Sequence, residues 1–327
     1  MSFHRSILAL GIAFFAVVHP SRAEAPWPSQ PLTLVAPNPP GGFTDLVARI
    51  VGSELGKSLG QPVVVENKAG AATMIGTTFV ANAKPDGYTL LMGSNSGMTV
   101  NPAVYSKPLA YDPVKSFEPI GMVASAGLVL VVNPATPVKD LAELVQLAKA
   151  KPGSLSFASW GTGSVSHLAA EMFRAGAGID LIHVPFKGGE PAKVAVLGGQ
   201  VTMAFDNIFA STSQIHAGKL RALAVSSLQR DRGLAHVPSL AELGYKDFEV
   251  LAWVGLFAPA GTPKQIVERL SRELQSILAR PDIREQLIAR GAEPRGSSGA
   301  AMLEYMKAER DRFSRTVKMA GIKIGDP

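Results

Sequence analysis

Two glycine-containing loops carry the residue types best suited to binding an anion. The first spans residues 40–45 after the apolar run Leu32–Ala36, and the second spans residues 159–164 after Leu155–Ala158. Apolar residues at helical spacing follow each loop, which indicates the order strand, loop, helix. The first amides of a helix lack an intrahelical partner and the helix dipole makes that end partly positive, so a carboxylate or phosphate can bind there. The candidate ligand-binding residues are Pro40, Gly41, Gly42, Phe43, Thr44 and Asp45 in the first loop and Ser159, Trp160, Gly161, Thr162, Gly163 and Ser164 in the second.

Each loop has a simpler interpretation as an ordinary strand-to-helix turn. An acidic residue such as Asp45 favours the first turn of any helix, and Ser164 is a good helix cap. Two such loops in successive α/β segments nevertheless favour a common site, because their helix starts would converge on one cleft if the two segments face each other.

Further polar side chains follow other predicted strands. In α/β sheets, ligands bind beyond the carboxyl ends of the strands. Lys187 stands beside Gly188 and Gly189, which indicates close packing, although it could also be a solvated loop residue. These positions add Ser94, Asn95, Ser96, His167, Lys187, Asp206 and Asn207 to the candidate ligand-binding residues.

A catalytic interpretation of these residues is weaker. Ser164, His167 and Asp206 could serve as nucleophile, base and orienting group, but Ser164 can equally cap a helix against which His167 packs, and we favour that alternative. The chain has no cysteine, no H-E-x-x-H spacing and no G-x-S-x-G sequence. Gly161-Thr162-Gly163 lacks the third glycine of a dinucleotide-binding loop. We therefore predict no catalytic residue, no metal site and no cofactor.

The N-terminus has the features of a secretory signal peptide over residues 1–23. The apolar segment Ile7–Val18 is too short to cross a bilayer, and small residues precede the expected cleavage after Ala23. No later stretch reaches about 18 uninterrupted apolar residues, so we expect a soluble exported protein. The formal charge of +6 is scattered along the chain and aromatic residues make up 7%, a pattern that does not indicate nucleic-acid binding.

The alternation of strand and helix patterns predicts an α/β protein with mostly parallel sheets flanked by helices. The chain length suggests about two domains, and the apolar runs 121–132 and 248–258 are long enough to cross between them. We expect one discontinuous domain of residues 24–124 plus 249–327 and a second domain of residues 125–248. Thr136-Pro137 and Thr262-Pro263 are predicted to begin helices, with the threonine as cap and the proline at the first helical position.

A series of motifs, in order along nearly the whole mature chain, resembles the Bug family, the periplasmic binding receptors of tripartite tricarboxylate transporters. The motifs are Pro39-Pro40-Gly41-Gly42-x-Thr44-Asp45, Gln61–Asn67, Pro85–Leu90, Asn101-Pro102, Tyr111-Asp112-Pro113, His183–Gly188, Phe205-Asp206-Asn207, Gly218–Val225 and Gly255–Pro263.

The resemblance implies a periplasmic binding protein-like fold, the Venus flytrap, in which two α/β domains joined by crossing strands close on a ligand. It implies a small carboxylate ligand held largely by backbone amides and water, and delivery to the membrane permease subunits of a transporter. A monomeric periplasmic protein without enzymatic activity is expected. A sensor for a membrane signalling kinase is the first alternative, and a secreted hydrolase using Ser164 and His167 is the second.

Three positions depart from the family pattern. Phe43 and Trp160 stand where the family usually has a small or polar residue, and Asn38 stands where an aromatic residue is common. Because Phe43 and Trp160 belong to the predicted binding loops, they indicate a ligand with an apolar or aromatic part, or a smaller cavity. Alternatively, either ring turns outward to the domain surface.

Overall fold

The computed structural model describes residues 27–246 and 248–319. The predicted signal peptide lies outside the described residues. The strands are β1 (Leu32–Ala36), β2 (Val63–Asn67), β3 (Thr89–Ser94), β4 (Phe117–Val132), β5 (Ser156–Ser159), β6 (Ile182–Pro185), β7 (Met203–Asn207), β8 (Arg221–Val225), β9 (Leu251–Pro259) and β10 (Glu293–Pro294). The α-helices are α1 (Phe43–Leu59), α2 (Met74–Ala81), α3 (Asn101–Val104), α4 (Leu141–Ala150), α5 (Val165–Ala177), α6 (Gly189–Leu197), α7 (Ile208–His216), α8 (Lys264–Ala279), α9 (Pro281–Ile288) and α10 (Gly299–Met319). Short helical turns span Ala71–Thr73, Ser96–Val100 and Arg232–Leu234.

The strands form two lobes that share one long strand. In the first lobe, β2, β1 and β3 are parallel, and β9 runs antiparallel to β3. In the second lobe, β6, β5 and β7 are parallel. The N-terminal part of β4 pairs with β9, and its C-terminal part pairs with β7 and β8. β4 therefore runs through both lobes.

The two-domain α/β fold that the sequence predicted is confirmed, with one difference in the sheet. The sheet is mixed rather than mostly parallel, because all pairings of β4 and the pairing of β9 with β3 are antiparallel. β4 and β9 are buried along almost their whole length, because in the first lobe α8 packs on one face of these strands and α10 on the other.

The last helix packs on both lobes. Met302 and Met306, in its first half, belong to a buried cluster with Val35 and Leu91 of the first lobe. Phe313, in its second half, belongs to a cluster with Phe157 of the second lobe. The buried side chains of α10 therefore connect the two lobes on the side of the crossing strands.

Two helix starts differ from the sequence prediction. α4 begins at Leu141, and the Asp140 side chain accepts a hydrogen bond from the Glu143 amide, so Thr136-Pro137 does not start this helix. α8 begins at Lys264, one residue after Pro263, and the Thr262 hydroxyl donates to the Pro259 carbonyl instead of capping the helix.

Within the described residues, no helix is both long enough and apolar enough to cross a membrane.

Candidate functional site

A cavity of about 1090 Å³ lies between the two lobes. The first lobe contributes the loops after β1, β2 and β3, and the second lobe contributes the loops after β5, β6 and β7. The structure brings most of the predicted site residues to its wall, namely Pro40, Gly41, Gly42, Phe43, Thr44, Ser94, Asn95, Ser96, Trp160, Gly161, Thr162, Ser164, Lys187, Asp206 and Asn207. Asp45, Ser159, Gly163 and His167 are not part of the wall.

Several helices begin at this cavity. Their N-cap residues all line its wall: Gly42, Thr73, Asn95, Ser164, Gly188 and Asn207. Among these described caps, only Ser164 uses its side chain to satisfy an amide of its own helix. The cavity therefore collects the positive ends of helix dipoles from both lobes, an environment that favours an anion.

Asp45 braces the first loop from behind. Its carboxylate accepts hydrogen bonds from the Gly41 amide at 2.9 Å, from Arg49 Nε at 3.1 Å and from Asn67 Nδ2 at 2.9 Å. Burial raises the pKa of Asp45, but the hydrogen bonds from Arg49, Gly41 and Asn67 outweigh that effect and lower it overall. Asp45 therefore holds the loop in place as a carboxylate and does not face the cavity.

The second loop uses many of its amides within the protein. The Trp160 amide donates to Ser166 Oγ at 2.9 Å, and the Gly163 amide donates to His167 Nδ1 at 3.2 Å. The Gly161 amide donates to Ser159 Oγ at 3.2 Å. The two loops meet at the cavity as the sequence predicted, but the second has fewer amides to offer a ligand, because its serine and histidine side chains already accept them.

Polar atoms without a partner point to a polar ligand. Within the described residues, Asn38 Oδ1, Thr73 Oγ1, Ser94 Oγ and Asn207 Oδ1 are buried and have no hydrogen-bond partner. All four residues line the cavity. A buried polar group without a hydrogen bond is unfavourable and is normally satisfied by protein, water or ligand. Their common position indicates that this wall is built for a hydrogen-bonding guest.

Comparison with known proteins gives the family. The family model described as the tripartite tricarboxylate transporter family receptor matches residues 47–322. The chain belongs to this family. It is 36% identical over 324 residues to BugT of Bordetella pertussis, with 98% of each chain covered. Its fold is similar to R. palustris Rpa4515 with adipate, with a TM-score of 0.84, 34% identity and coverage of 91% of this chain and 99% of that one. It is also similar to MatC from Rhodopseudomonas palustris with bound malate, with a TM-score of 0.80, 34% identity and coverage of 89% and 100%.

One segment of the receptor's cavity wall was not predicted from the sequence. Ala71, Ala72 and Thr73 follow one another with φ angles of 45°, 49° and 77°. Non-glycine residues in this left-handed region cost about 1–3 kcal/mol each and persist where the surroundings hold them. Here Asn101 Nδ2 donates to the Ala72 carbonyl at 2.8 Å. The sequence analysis did not single out this segment, because no residue type in it marks three left-handed conformations in a row.

Aromatic side chains from both lobes line the receptor's cavity. Phe43 of the first lobe contacts Phe209 of the second, with ring centroids 6.2 Å apart. Trp160 donates its indole N–H to Asp206 Oδ1 at 3.1 Å, and burial raises the pKa of Asp206. The structure thus places Phe43 and Trp160 on the cavity wall, and it adds Phe209 and Trp253, which the sequence analysis did not single out.

His167 supports the second loop from inside the second lobe. Its ring stacks on His183 with centroids 3.9 Å apart, and His183 Nε2 lies 2.7 Å from Ser159 Oγ. Burial lowers the pKa of His167 to about 3 and that of His183 to about 4, so both rings are neutral near pH 7. This neutral pair fixes Ser159 and the Gly163 amide, which shapes the loop without contacting the cavity.

The hydrolase alternative does not match these contacts. His167 Nδ1 accepts from the Gly163 amide, and His167 Nε2 lies 3.8 Å from Glu171 Oε1. Asp206 accepts hydrogen bonds from Trp160 and Ser211. The Gly163 amide therefore occupies Nδ1, the acceptor nitrogen of the neutral ring, and the carboxylate that a Ser164 triad would need is bonded to Trp160 and Ser211.

Among the described residues, four charged side chains line the cavity: Lys187, Glu190, Lys193 and Asp206. Lys187 is exposed, whereas the Lys193 side chain is only 9% exposed. Glu190 and Lys193 were not predicted, because in sequence they resemble ordinary helix-surface residues of α6. Among the described residues, no group of three or more histidines and carboxylates could hold a metal ion.

Proposed function

We propose that this receptor captures a small carboxylate in the cavity between its lobes and delivers it to the membrane permease subunits of a tripartite tricarboxylate transporter. The observation that carries this proposal is the set of unpartnered polar atoms beside uncapped helix starts. Ser94 Oγ and Thr73 Oγ1 are hydroxyls that can donate to a carboxylate, and the start of α1 at Gly42 adds backbone donors.

The energetics of such a site are sufficient for a receptor. A hydrogen bond to a charged group contributes about 1.5–3 kcal/mol. Six such bonds, within reach of a ligand held at both lobes, total about 9–18 kcal/mol, which exceeds the roughly −8 kcal/mol that corresponds to micromolar affinity and leaves a margin for the entropic cost of binding. The adipate and malate in the two similar structures are small carboxylates, and a cavity of about 1090 Å³ has room for a ligand of that size or larger.

Closure of the lobes provides the mechanism of capture. A ligand that contacts both walls stabilises the closed arrangement relative to an open one. The contact between Phe43 of the first lobe and Phe209 of the second, with ring centroids 6.2 Å apart, joins the two walls. Phe209 also packs against Gly291 of the first lobe, where an added Cβ would lie 2.1 Å from the Phe209 Cβ. This aromatic contact closes one side of the cavity over the guest.

The proposal includes the location and organisation expected from the sequence. Cleavage after Ala23 would release a monomer into the periplasm, with one domain of residues 24–124 plus 249–327 and a second of residues 125–248. The protein would bind its ligand without converting it. Residues of both loops, Ser94–Ser96 and Asp206-Asn207 would form the contact surface, with Asp45, Ser159, Gly163 and His167 supporting it from behind.

Native mass spectrometry of protein purified without refolding tests the proposal directly. We expect a bound small carboxylate, or a thermal shift with members of a carboxylate library, and saturable binding by calorimetry without turnover. Absence of any response across the library, together with a ligand-free mass, would contradict the proposal. Turnover that disappears in a His167→Ala variant would support the hydrolase alternative instead.

A further inference from the structure

Lys193 is a buried cation on the second-lobe wall of the cavity. It lies on α6, and its side chain is 9% exposed. Its ammonium donates to the Ala210 carbonyl at 3.0 Å and lies 2.8 Å from Glu190 Oε2. An ammonium has three N–H donors, and within the described residues these two partners account for two of them. A charged donor therefore remains for a guest in the cavity.

The partner that neutralises Lys193 is easily displaced. The Glu190 side chain is 74% exposed, so water solvates this carboxylate as soon as it leaves the lysine. A buried ammonium is unfavourable without a negative partner, and a ligand carboxylate supplies that partner when Glu190 leaves. A carboxylate on the ligand, enclosed by the closed lobes, can replace Glu190 at the ammonium with little loss.

The remaining charged groups near Lys193 do not compete with a ligand. Asp206 lies close enough for its charge to interact with Lys193, but its oxygens accept hydrogen bonds from Trp160 and Ser211, and among the described residues the ammonium forms its ion pair with Glu190. Lys187 is exposed and solvated. Lys193 is thus the buried positive charge among the described residues of this wall.

The loop of residues 159–164 in the second lobe offers few free hydrogen-bond donors to a ligand, so a cation on this wall would add to anion binding. The amides of Trp160, Gly161 and Gly163 donate within the protein, so the helix start at Ser164 offers less to an anion than the start at Gly42. The first lobe can bind one negative group through hydroxyls and amides. A second negative group, placed at the opposite lobe, would gain a charged donor from a buried cation there.

We infer that Lys193 is a specificity-determining residue that binds a second negative group of the ligand, displacing Glu190. This inference rests on the proposed function and assigns the residue by which this chain would distinguish a ligand with two negative groups from one with a single group. Because the rings of Phe43, Phe209 and Trp160 line the cavity, the two negative groups are joined by an apolar chain or ring.

Matched probes with one or two carboxylates test the role of Lys193. Wild-type protein should bind adipate, suberate or terephthalate more tightly than the corresponding hexanoate, octanoate or benzoate. In Lys193→Met, calorimetry should show a loss of about tenfold or more for the dicarboxylate that binds best, with the monocarboxylate unchanged. Glu190→Gln removes an exposed competitor, so it should fold normally and bind the same dicarboxylate more tightly than wild type.

Lys307 provides a matched control, because it forms a 2.8 Å ion pair with Glu304 at the same helical spacing but away from the cavity. Lys307→Met should leave binding of both probe classes unchanged. Equal affinity of wild type for the two classes, or equal losses for both in Lys193→Met, would overturn the inference and leave the proposed function standing. Failure of wild type to bind any probe would contradict the proposed function as well.

Discussion

Substitution of Ser94 should weaken ligand binding without lowering the stability of the unliganded protein. It is buried at the end of β3, lines the cavity and has no hydrogen-bond partner within the described residues. In Ser94→Ala the unliganded protein loses no hydrogen bond. It also no longer buries an unsatisfied hydroxyl, which removes an unfavourable contribution of about 1–3 kcal/mol. We therefore expect its free energy of unfolding to stay equal or to rise. Loss of one bond to a carboxylate, about 1.5–3 kcal/mol, should weaken ligand binding by about 10- to 100-fold.

Ser226→Ala is a control with the opposite signature. The Ser226 hydroxyl is also buried, but it accepts from the Leu128 amide at 2.9 Å and donates to the Val250 carbonyl. Removing it leaves two buried backbone groups without their partner, so the free energy of unfolding should fall by about 1–3 kcal/mol. Ser226 is not part of the cavity wall, and its variant should retain wild-type affinity.

Urea unfolding of the ligand-free proteins and calorimetry with the carboxylate that binds best measure the two effects. The reasoning requires opposite patterns, with affinity lost in Ser94→Ala and stability lost in Ser226→Ala. A Ser94→Ala variant that is destabilised as much as Ser226→Ala, with unchanged affinity, would show that this hydroxyl has a structural partner and does not bind the ligand.

Three further predictions concern the loops. In the unfolded state both histidines bind protons near the ordinary pKa of 6.5, whereas in the folded state His167 and His183 stay neutral until about pH 3 and 4. The contribution of the neutral rings to the free energy of unfolding is therefore complete above pH 6.5 and is lost as the pH falls. Urea titrations of His167→Gln/His183→Gln should therefore show a pH dependence flatter than wild type by about 2 kcal/mol per ring between pH 7 and 5, and parallel profiles would contradict the assigned pKa values. Gly41→Ala should cost about 1–2 kcal/mol, because φ is +83° with open space around the added Cβ, whereas Gly42→Ala, with φ of −80°, should be nearly neutral; equal losses would argue against the left-handed turn. Asp45→Asn should reduce the free energy of unfolding by about 1–3 kcal/mol and weaken carboxylate binding, because it disturbs the carboxylate that accepts from the Gly41 amide. Unchanged affinity by calorimetry would show that ligand binding does not depend on this hydrogen bond.

The sequence predicted elements whose signals are local. β1 and α1 follow from the apolar run Leu32–Ala36 and from the apolar residues at helical spacing after the first loop. The predicted start of α4 at Thr136-Pro137 was wrong, because the prediction used neighbouring residues whereas the conformation of this stretch depends on a contact from a distant one. Arg221 donates to the carbonyls of Thr136 and Val138, which holds this stretch as a turn until Asp140 caps the helix.

The same distinction applies to the site. Glycine loops at helix starts were visible in the sequence, and the structure brings them to one cavity. The difference in donors between the lobes was not visible, because it depends on whether Ser159, Ser166 and His167 accept the loop amides. Lys193 resembles an ordinary helix-surface residue in sequence. Its position on the wall depends on how α6 packs against β5 and β7, and no spacing encodes that.

The two lobes therefore contribute differently to recognition. The first lobe offers backbone amides and the hydroxyls of Ser94 and Thr73, which any carboxylate can use. The second lobe offers an indole held by Asp206, the ring of Phe209 and the ammonium of Lys193, each of which favours a particular ligand shape or charge. Changes in the first lobe should alter affinity for all carboxylates alike, and changes in the second should alter which carboxylate binds best. Closure joins the two, because a ligand that satisfies only the first lobe gains nothing from bringing the second lobe close.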